Sequence, residues 1–329
     1  MSEKLLTDSE ISALLAHAES SEPPLEKAVG EQAPSYRYFK PTGEGVDRWI
    51  DYIQSTEEGY RFGIRDLDIR MRGIYPSDVL VITGRAHSGK SQVCLSSIVH
   101  NLHANPDFKA IIYTPDEPQM LVIQKLFSLY YQRNAEEVET RIEAHDPAIL
   151  SEIRTAKNTV FNNIAILDGP LTFSQMSDAL HEAQDFWQDT PKIAMVDYLE
   201  QLPGPGGYEG VSSLLKGVKQ WAKDEAMPVA LIHQSGKGAK RGMSSGLEAG
   251  KFNADEYAIM QLDVYRKREK DGLSYAERCF HSVSITLDLC KNKKPPCDLY
   301  AGDFFMDPQC GLIRDYFEED IPTDDRWMS

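Results

Sequence analysis

The chain has 329 residues, of which 41% are hydrophobic and 26% charged, and its formal net charge is −16. This is the composition of a globular protein with a sizeable core, and the negative charge argues against a protein that coats nucleic acid with its whole surface. The charge is uneven, because residues 233–294 hold twelve Lys or Arg against eight Asp or Glu. A basic segment therefore lies in an otherwise acidic chain.

The sequence has no apolar run long enough to span a membrane, and its N-terminus lacks the basic and then apolar order of a signal peptide. We therefore expect a cytosolic protein. The five cysteines are odd in number and include no Cys-x-x-Cys pair, which favours reduced thiols. A zinc site built from Cys290, Cys297, Cys310 and His281 is the alternative, but these residues contain no close ligand pair.

The first part of the chain predicts two segments. Residues 1–43 begin with an amphipathic helix and continue as an acidic linker rich in Pro and Gly, which is expected to be partly disordered. Residues 44–59 predict a linker helix. A short helix with an apolar face needs a surface to pack on, either the core of the chain or a neighbouring subunit. The apolar residues on one side of this helix are Val46, Trp49, Ile50 and Ile53.

The stretch from Val79 to Ser91 is a short apolar strand followed by the pattern G-x-x-x-x-G-K-S. Between a strand and a helix, such a loop cradles phosphates with its backbone amides, so it predicts ATP or GTP binding rather than a chance Gly-rich turn. Lys90 would reach the β- and γ-phosphates, and the Ser91 hydroxyl would bind Mg²⁺. The predicted phosphate-binding residues are Gly84, Arg85, Ala86, His87, Ser88, Gly89, Lys90 and Ser91.

Two later strands end in carboxylates. Residues 110–114 are followed by Asp116 and Glu117, and residues 193–196 are followed by Asp197. Most acids at strand ends are caps or turn formers. In a chain that alternates strands and helices after a phosphate-binding loop, however, Asp197 predicts a carboxylate that supports Mg²⁺ from a strand adjacent to the loop strand.

The strand at residues 229–232 leads to Gln234, which would either sense the γ-phosphate or be a surface amide. The following residues 236–252 are rich in Gly and Ser and carry four cations, so they predict a mobile basic loop. Such a loop suits the phosphates of a single nucleic-acid strand, and a solvated surface loop is the competing interpretation. The cations are Lys237, Lys240, Arg241 and Lys251.

The remaining patterns predict an α/β fold with a mostly parallel central sheet flanked by helices and with antiparallel strands at its C-terminal end. Residues 315–329 are expected to form a frayed acidic tail. The predicted helices span residues 92–102, 118–133 with polar helical sequence through 156, 174–188 and 211–225. The predicted further strands span residues 164–167, 258–262 and 283–290, with short antiparallel strands between 297 and 313.

These motifs, in this order, resemble the ATPase domain of the DnaB-type replicative helicases, within the RecA-like P-loop ATPases. The similarity runs from Tyr60 to Ile313 and rests on GYRFGIRDLDIRMRGIYPSDVLVI, GRAHSGKS, IIYTPDE, IAMVDYLEQL, VALIHQ and LCKNKKPP. It implies a RecA-like ATPase domain over residues 60–314 that uses ATP and Mg²⁺. It also implies a homo-oligomer, either a ring hexamer or a spiral, with ATP at each subunit interface.

The resemblance also implies roles for individual residues. Glu117 or Asp116 would activate the attacking water, with the longer Glu favoured. Lys291 and Lys293 would be charges offered in trans to the ATP of the neighbouring subunit. Here the chain departs from the family, whose finger is Arg: because a Lys cannot make the bidentate planar contact, turnover is expected to be slow or to depend on Lys291.

A second departure is that only about 59 residues precede the motif region, where the family has a helical domain that forms a collar and meets primase. Collarless versions resemble those of bacteriophages, whose products work in the bacterial host cytoplasm. The implied function is an ATP-dependent helicase or translocase on single-stranded DNA in replication, in contact with other replication proteins. A recombinase or recombination mediator, and a nucleotide-gated assembly or signalling ATPase that never binds DNA, remain the alternatives.

Overall fold

The computed structural model describes residues 59–204, 207–234, 257–266, 283–317 and 320, together with Gly43, Val46 and Ile50. The chain divides into two units, residues 1–57 and residues 58–329. Gly43, Val46 and Ile50 are helical. The rest of the predicted N-terminal extension and linker helix lies outside the described residues.

The strands of the described residues form one sheet. Their bounds are β1 Val79–Gly84, β2 Ala110–Tyr113, β3 Ile164–Leu167, β4 Ile193–Val196, β5 Val229–Gln234, β6 Met260–Tyr265, β7 Ser284–Asn292, β8 Tyr300–Met306 and β9 Ile313–Arg314. The order across the sheet is β3-β2-β4-β5-β1-β6-β7-β8-β9. Strands β1 to β6 are parallel and β7 to β9 are antiparallel. This arrangement confirms the predicted fold class.

Helices cover both faces of the sheet. Their bounds are α1 Arg65–Met71, α2 Lys90–Ala104, α3 Gln119–Tyr131, α4 Ala135–Glu143, α5 Pro147–Asn158, α6 Phe173–Trp187 and α7 Gly207–Asp224. The prediction of helical sequence through residue 156 was wrong in one respect, because the chain breaks between α4 and α5. His145 adopts a left-handed conformation (φ 54°), and Asp146 caps the new helix, which has Pro147 at its start.

The period-two alternation of β1 builds two separate cores. Leu80 and Ile82 face α1 to α5, whereas Val79 and Val81 face α6 and α7. Because the parallel strands are covered on both sides, they consist almost wholly of apolar residues, as such strands do. None of the helices in the described part of the chain is long and apolar enough to cross a membrane.

The C-terminal strands differ from the prediction at their ends. Strand β6 is displaced toward the C-terminus relative to the predicted residues 258–262. The segment at Cys297 is a turn rather than a strand, because its left-handed backbone (φ 64°) cannot continue a ladder, and β8 begins only at Tyr300. The start of the expected frayed tail is held in place, since Asp320 forms an ion pair with Arg314 and Asp315 accepts a hydrogen bond from the Arg65 amide.

The buried carboxylate of Asp68 in α1 fixes the segment that leads into the fold. Its two oxygens accept hydrogen bonds from the amides of Phe62 and Gly63 at 2.6 and 2.8 Å. Burial raises the pKa of Asp68, and these amides act in the opposite direction. The side chain is therefore the polar partner on which this part of the backbone depends.

We predict that Asp68→Ala lowers the free energy of unfolding by about 2–4 kcal/mol, because it leaves two backbone donors without their acceptor. Asp66→Ala, which alters an exposed acid of the same helix, is the matched control and should change stability by less than about 0.5 kcal/mol. Urea unfolding midpoints of the two variants measure the difference. Equal midpoints would contradict the assigned role of Asp68.

Candidate functional site

The predicted phosphate-binding loop joins β1 to α2. Gly84 ends the strand with φ 154°, and Gly89 precedes the helix with φ 101°. A Cβ at Gly84 would lie 2.4 Å from the carbonyl oxygen of Val264 and 2.5 Å from Ser88 Oγ. The loop therefore curls onto itself and against β6 so closely that a side chain at Gly84 does not fit.

Two polar groups inside this loop suit a phosphate ligand. Lys90 Nζ is turned into the loop, where it donates to the carbonyl oxygen of Arg85 at 2.9 Å. Ser88 is buried, and its hydroxyl has no hydrogen-bond partner within the described residues. Burial lowers the pKa of Lys90, while nearby carboxylates act in the opposite direction. These carboxylates are Asp197, Glu200 and Asp263.

Asp197 meets the loop through α2 rather than through a neighbouring strand. The expectation of a strand adjacent to β1 was wrong, since β5 lies between β4 and β1. The Ser91 hydroxyl, at the start of α2, nevertheless donates a hydrogen bond to the Asp197 carboxylate. The structure therefore brings together the two residues predicted to hold Mg²⁺.

The electrostatics of Asp197 fit a bound cation. The pKa of Asp197 is raised to about 6, mainly by burial and also by the charge of Glu117, while the Ser91 hydrogen bond and the charges of Lys90 and Lys125 act in the opposite direction. A divalent cation would favour the charged carboxylate. A hydroxyl and a carboxylate are also the hard oxygen ligands that Mg²⁺ prefers. The residues present thus fit the metal that the sequence predicts.

The two candidates for the water-activating carboxylate occupy different places. Glu117 is half-buried, and its two carboxylate oxygens lie 2.5 and 2.6 Å from Lys125 Nζ. Its charge acts on Asp197. Asp116 is exposed, and its contact is a hydrogen bond from Gln201 Nε2 at 3.4 Å. Glu117 is therefore the acid that shares an electrostatic environment with the metal-supporting residue.

Gln234 lies at the edge where the phosphate loop begins, because it pairs with Gly84 in the sheet register. The backbone amide of Gln234 donates to Glu200 Oε1 at 3.3 Å. The same oxygen lies 3.0 Å from Nδ1 of the fully buried His233. Burial raises the pKa of Glu200, but the contact with His233 and the backbone hydrogen bonds, that from Gln234 among them, together outweigh burial, and the net shift is downward. The sequence reasoning missed Glu200, although its place just after the metal-supporting strand was the available signal.

Of the predicted trans lysines, Lys293 lies at the opposite end of β1 from the phosphate loop. Lys293 is exposed, and its backbone amide donates to the carbonyl oxygen of Ile259 at 3.0 Å, while the Ile259 amide donates to that of Val79, the first residue of β1. Lys291 is half-buried and pairs with Gln261 of β6, which pairs with Val81, the third residue of β1. Since β1 is six residues long, its two ends are about 17 Å apart. Lys293 therefore lies far from the phosphate loop of its own chain, and Lys291 lies about halfway along β1.

Two predictions fall on residues that the structure does not describe. The basic-loop residues Lys237, Lys240, Arg241 and Lys251 lie outside the described residues, as does His281 of the zinc alternative. In the described ranges, no group of three or more His, Cys, Asp or Glu side chains is arranged to hold a metal ion. Cys290, Cys297 and Cys310 are free thiols.

Comparisons with known proteins give one family. The model of the DnaB-like helicase C-terminal domain matches residues 59–294, which is more than half of the chain. The chain is 26% identical over 240 residues to the replicative DNA helicase DnaB of a Nostoc species, covering 65% of this chain and 26% of that protein. It is 21% identical over 265 residues to the protein of the same name from Haemophilus influenzae, covering 70% and 55%. The chain thus spans about a quarter to a half of these relatives.

Two solved structures share the fold. One is described as the structure of a DnaB-like replicative helicase and its interactions with primase; it has a TM-score of 0.67 and 16% identity, and the match covers 94% of this chain and 72% of that one. The other is described as an ATPase domain, with a TM-score of 0.68 and 16% identity, and the match covers 84% and 99%. At this identity the likeness establishes the architecture alone.

Proposed function

This chain belongs to the family of DnaB-like helicase C-terminal domains, and we propose that it is an ATP-driven motor that moves on single-stranded DNA during replication. The observation that carries the proposal is the separation within one subunit. The phosphate loop and its acids stand at one end of β1, and the exposed Lys293 stands at the other. Each half of the site needs a second copy of the chain to complete it.

The first half of the proposed site binds the nucleotide. Lys90 and the loop amides contact its phosphates, and the buried Ser88 hydroxyl is available as a further donor. Ser91 and Asp197 would hold Mg²⁺, which neutralises phosphate charge when bound. Glu117 accepts a proton from the attacking water, and its ion pair with Lys125 fixes the direction of its carboxylate.

The second half of the proposed site comes from the neighbouring copy. Lys291 and Lys293 of that copy stabilise the negative charge that develops on the transferred phosphoryl group. An interface between opposite ends of two subunits is head-to-tail, so it generates a closed ring or an open spiral. A hexameric ring is the assembly we propose, with the spiral as the open form of the same contact.

Coupling to DNA is proposed to pass through Gln234. This residue pairs with Gly84 at the phosphate loop, and residues 236–252 follow it immediately in sequence. Loss of the γ-phosphate would therefore act on the residue that directly precedes the basic loop of residues 236–252. We propose that the motor acts in the cytoplasm, which is that of a bacterial host if the chain is phage-encoded. It would act there with other replication proteins. The primase named in the description of one structural neighbour is the kind of partner expected.

We predict that the protein hydrolyses ATP with Mg²⁺ and that single-stranded DNA accelerates turnover several-fold at low salt. Lys90→Ala should lower the rate at least about 100-fold, because it removes a cation that contacts the phosphates. Phosphate release with and without DNA measures both effects, and a strand-displacement assay then distinguishes directional unwinding from strand exchange. An ATP hydrolysis rate that does not change when DNA is added would contradict the proposal of a motor and favour a nucleotide-gated assembly protein.

Glu117→Gln should lower kcat about 100-fold or more, because general-base catalysis contributes about 10²–10⁴. Asp116→Asn is the matched control and should lower kcat by less than about 5-fold, since Asp116 is exposed and outside the electrostatic environment of Asp197. Steady-state kinetics on both variants measure the difference. If Asp116→Asn has the larger effect, the assignment of Glu117 is wrong.

Replacing Lys237, Lys240 and Arg241 together by Ala should weaken single-stranded DNA binding and make its salt dependence shallower by a slope of about 2, because three cations no longer displace counterions. A triple Ala variant of the exposed Arg154, Lys157 and Lys192 removes the same charge elsewhere. Fluorescence anisotropy at several salt concentrations compares them. Identical salt slopes for the two variants would exclude residues 236–252 as the DNA contact.

A further inference from the structure

The lysine after the proposed trans residues has a different role from theirs. Lys294 Nζ lies 2.7 Å from Asp78 Oδ2, and both side chains are mostly buried. The same ammonium donates to the carbonyl oxygen of Gly73 at 2.5 Å and lies 4.4 Å from the centre of the Tyr75 ring. Lys294 is thus fixed by its own subunit, just ahead of the first residue of β1, and cannot extend to another one.

Residues 291–299, which are the end of β7 and its connection to the antiparallel strand β8, are called the hairpin below, and the rest of it is fixed in the same way. Asn292 Nδ2 donates to the carbonyl oxygen of Arg70 at 2.9 Å, and Arg72 Nη1 donates to that of Pro295 at 2.5 Å. Because Asn292 and Lys294 are both held, the residue between them has little freedom of backbone direction. Lys293 is that residue, and it is exposed. The hairpin therefore presents Lys293 outward from a fixed base.

A second lysine reaches the same place from α7. Lys219 Nζ donates to the carbonyl oxygen of Ser77 at 3.2 Å, one residue before Asp78. Burial lowers the pKa of Lys219, Asp78 acts in the opposite direction, and the charges of Lys223 and Lys293 lower it further. The ammonium groups of Lys219 and Lys293 are therefore near enough to repel each other.

The charges at this end of β1 do not balance. Lys294 and Lys219 lie beside Asp78, whose carboxylate is already bonded to Lys294, and the charges of two more lysines, Lys223 and Lys293, act on Lys219. A cluster of like charges favours an anionic partner. The opposite end of β1 is complementary in charge to these lysines, because it carries the acids around Lys90 and the loop predicted to bind phosphates.

Resting on the proposed function, we propose that Lys219 is a further trans cation, which joins Lys291 and Lys293 in contacting the terminal phosphates of the nucleotide held by a neighbouring copy. A guanidinium would make two parallel contacts to such a group, and a single ammonium cannot. Ammonium groups from α7 and the hairpin supply separate contacts instead. Asp78 and Lys294 are positioning residues, because their ion pair holds the hairpin against the start of β1, beside α7.

The kinetic test compares Lys219→Met with Lys216→Met, which neutralises an exposed lysine of the same helix. We expect Lys219→Met to lower kcat for DNA-stimulated ATP hydrolysis about 10- to 100-fold, with KM and single-stranded DNA affinity changed by less than about 3-fold, because the contact acts mainly in the transition state. Lys216→Met should behave like the unaltered protein. A loss of DNA affinity in Lys219→Met would instead make the lysine cluster a DNA contact.

Subunit mixing separates a trans role from a structural one. The Lys90→Ala protein lacks a working phosphate loop but retains Lys219, whereas Lys219→Met retains the loop. If Lys219 acts in trans, equimolar mixing of the two variants restores activity well above the sum of the separate proteins, since an intact loop then meets an intact Lys219 at some interfaces. A Lys219→Met protein that is merely misfolded, or that has damaged its own loop, gives no restoration, and that result would overturn the proposal.

The same measurements distinguish this inference from the proposed function. If the unaltered protein shows no DNA-stimulated hydrolysis, the motor proposal itself fails. If hydrolysis is present and depends on Lys90, but Lys219→Met matches Lys216→Met, then the motor stands and the trans role of Lys219 is wrong.

Discussion

Strand β1 gives the molecule two chemically opposite ends, and the proposed function depends on the distance between them. At one end the backbone turns into the phosphate loop through Gly84. At the other, Asp78 holds Lys294, and Lys293 stands exposed in the same hairpin. Six strand residues span about 17 Å, which is more than a lysine side chain can bridge. Lys293 therefore cannot reach the phosphate loop of its own subunit.

The end with the phosphate loop is also incomplete electrostatically. Lys90 stands among Asp197, Glu200 and Asp263, and burial opposes the charged forms of both Lys90 and Asp197. A nucleotide alone would add negative charge to this group of acids. A nucleotide that arrived with Mg²⁺ would bring compensating charge to Asp197, and Lys90 would be free to turn from the loop carbonyl to the phosphates. The loop, the Ser91 hydroxyl and the Asp197 carboxylate would then act together on one ligand.

Much of this architecture was predictable because its signals are local. The bounds of β3 agree with the predicted residues 164–167, and β1 begins at Val79 as predicted, since buried parallel strands are continuous apolar runs between turn residues. The pattern at residues 84–91 predicts the phosphate loop, and its glycines are needed because Gly84 and Gly89 have positive φ angles. The break at His145 was missed because Asp146 and Pro147 act as a helix start only when the preceding residue leaves the helical conformation.

The missed residues are those whose roles come from distant contacts. Lys219 was missed because it is far in sequence from Lys293, which the motifs do predict, and only the packing of α7 brings the two lysines near each other. Lys294 has the same residue type as Lys293 beside it, yet its contacts with Asp78 and Tyr75 give it the opposite role. Likewise, no local sequence pattern indicates that β5 lies between β4 and β1 in the sheet.

The most direct measurement is an electron cryo-microscopy structure of the assembly with Mg²⁺, a non-hydrolysable ATP analogue and single-stranded DNA. We predict that each nucleotide lies between two subunits, with the Nζ atoms of Lys293 and Lys219 from one subunit within about 3 Å of the terminal phosphate bound by Lys90 of the other. A nucleotide enclosed by a single subunit, with both lysines facing solvent, would contradict the account.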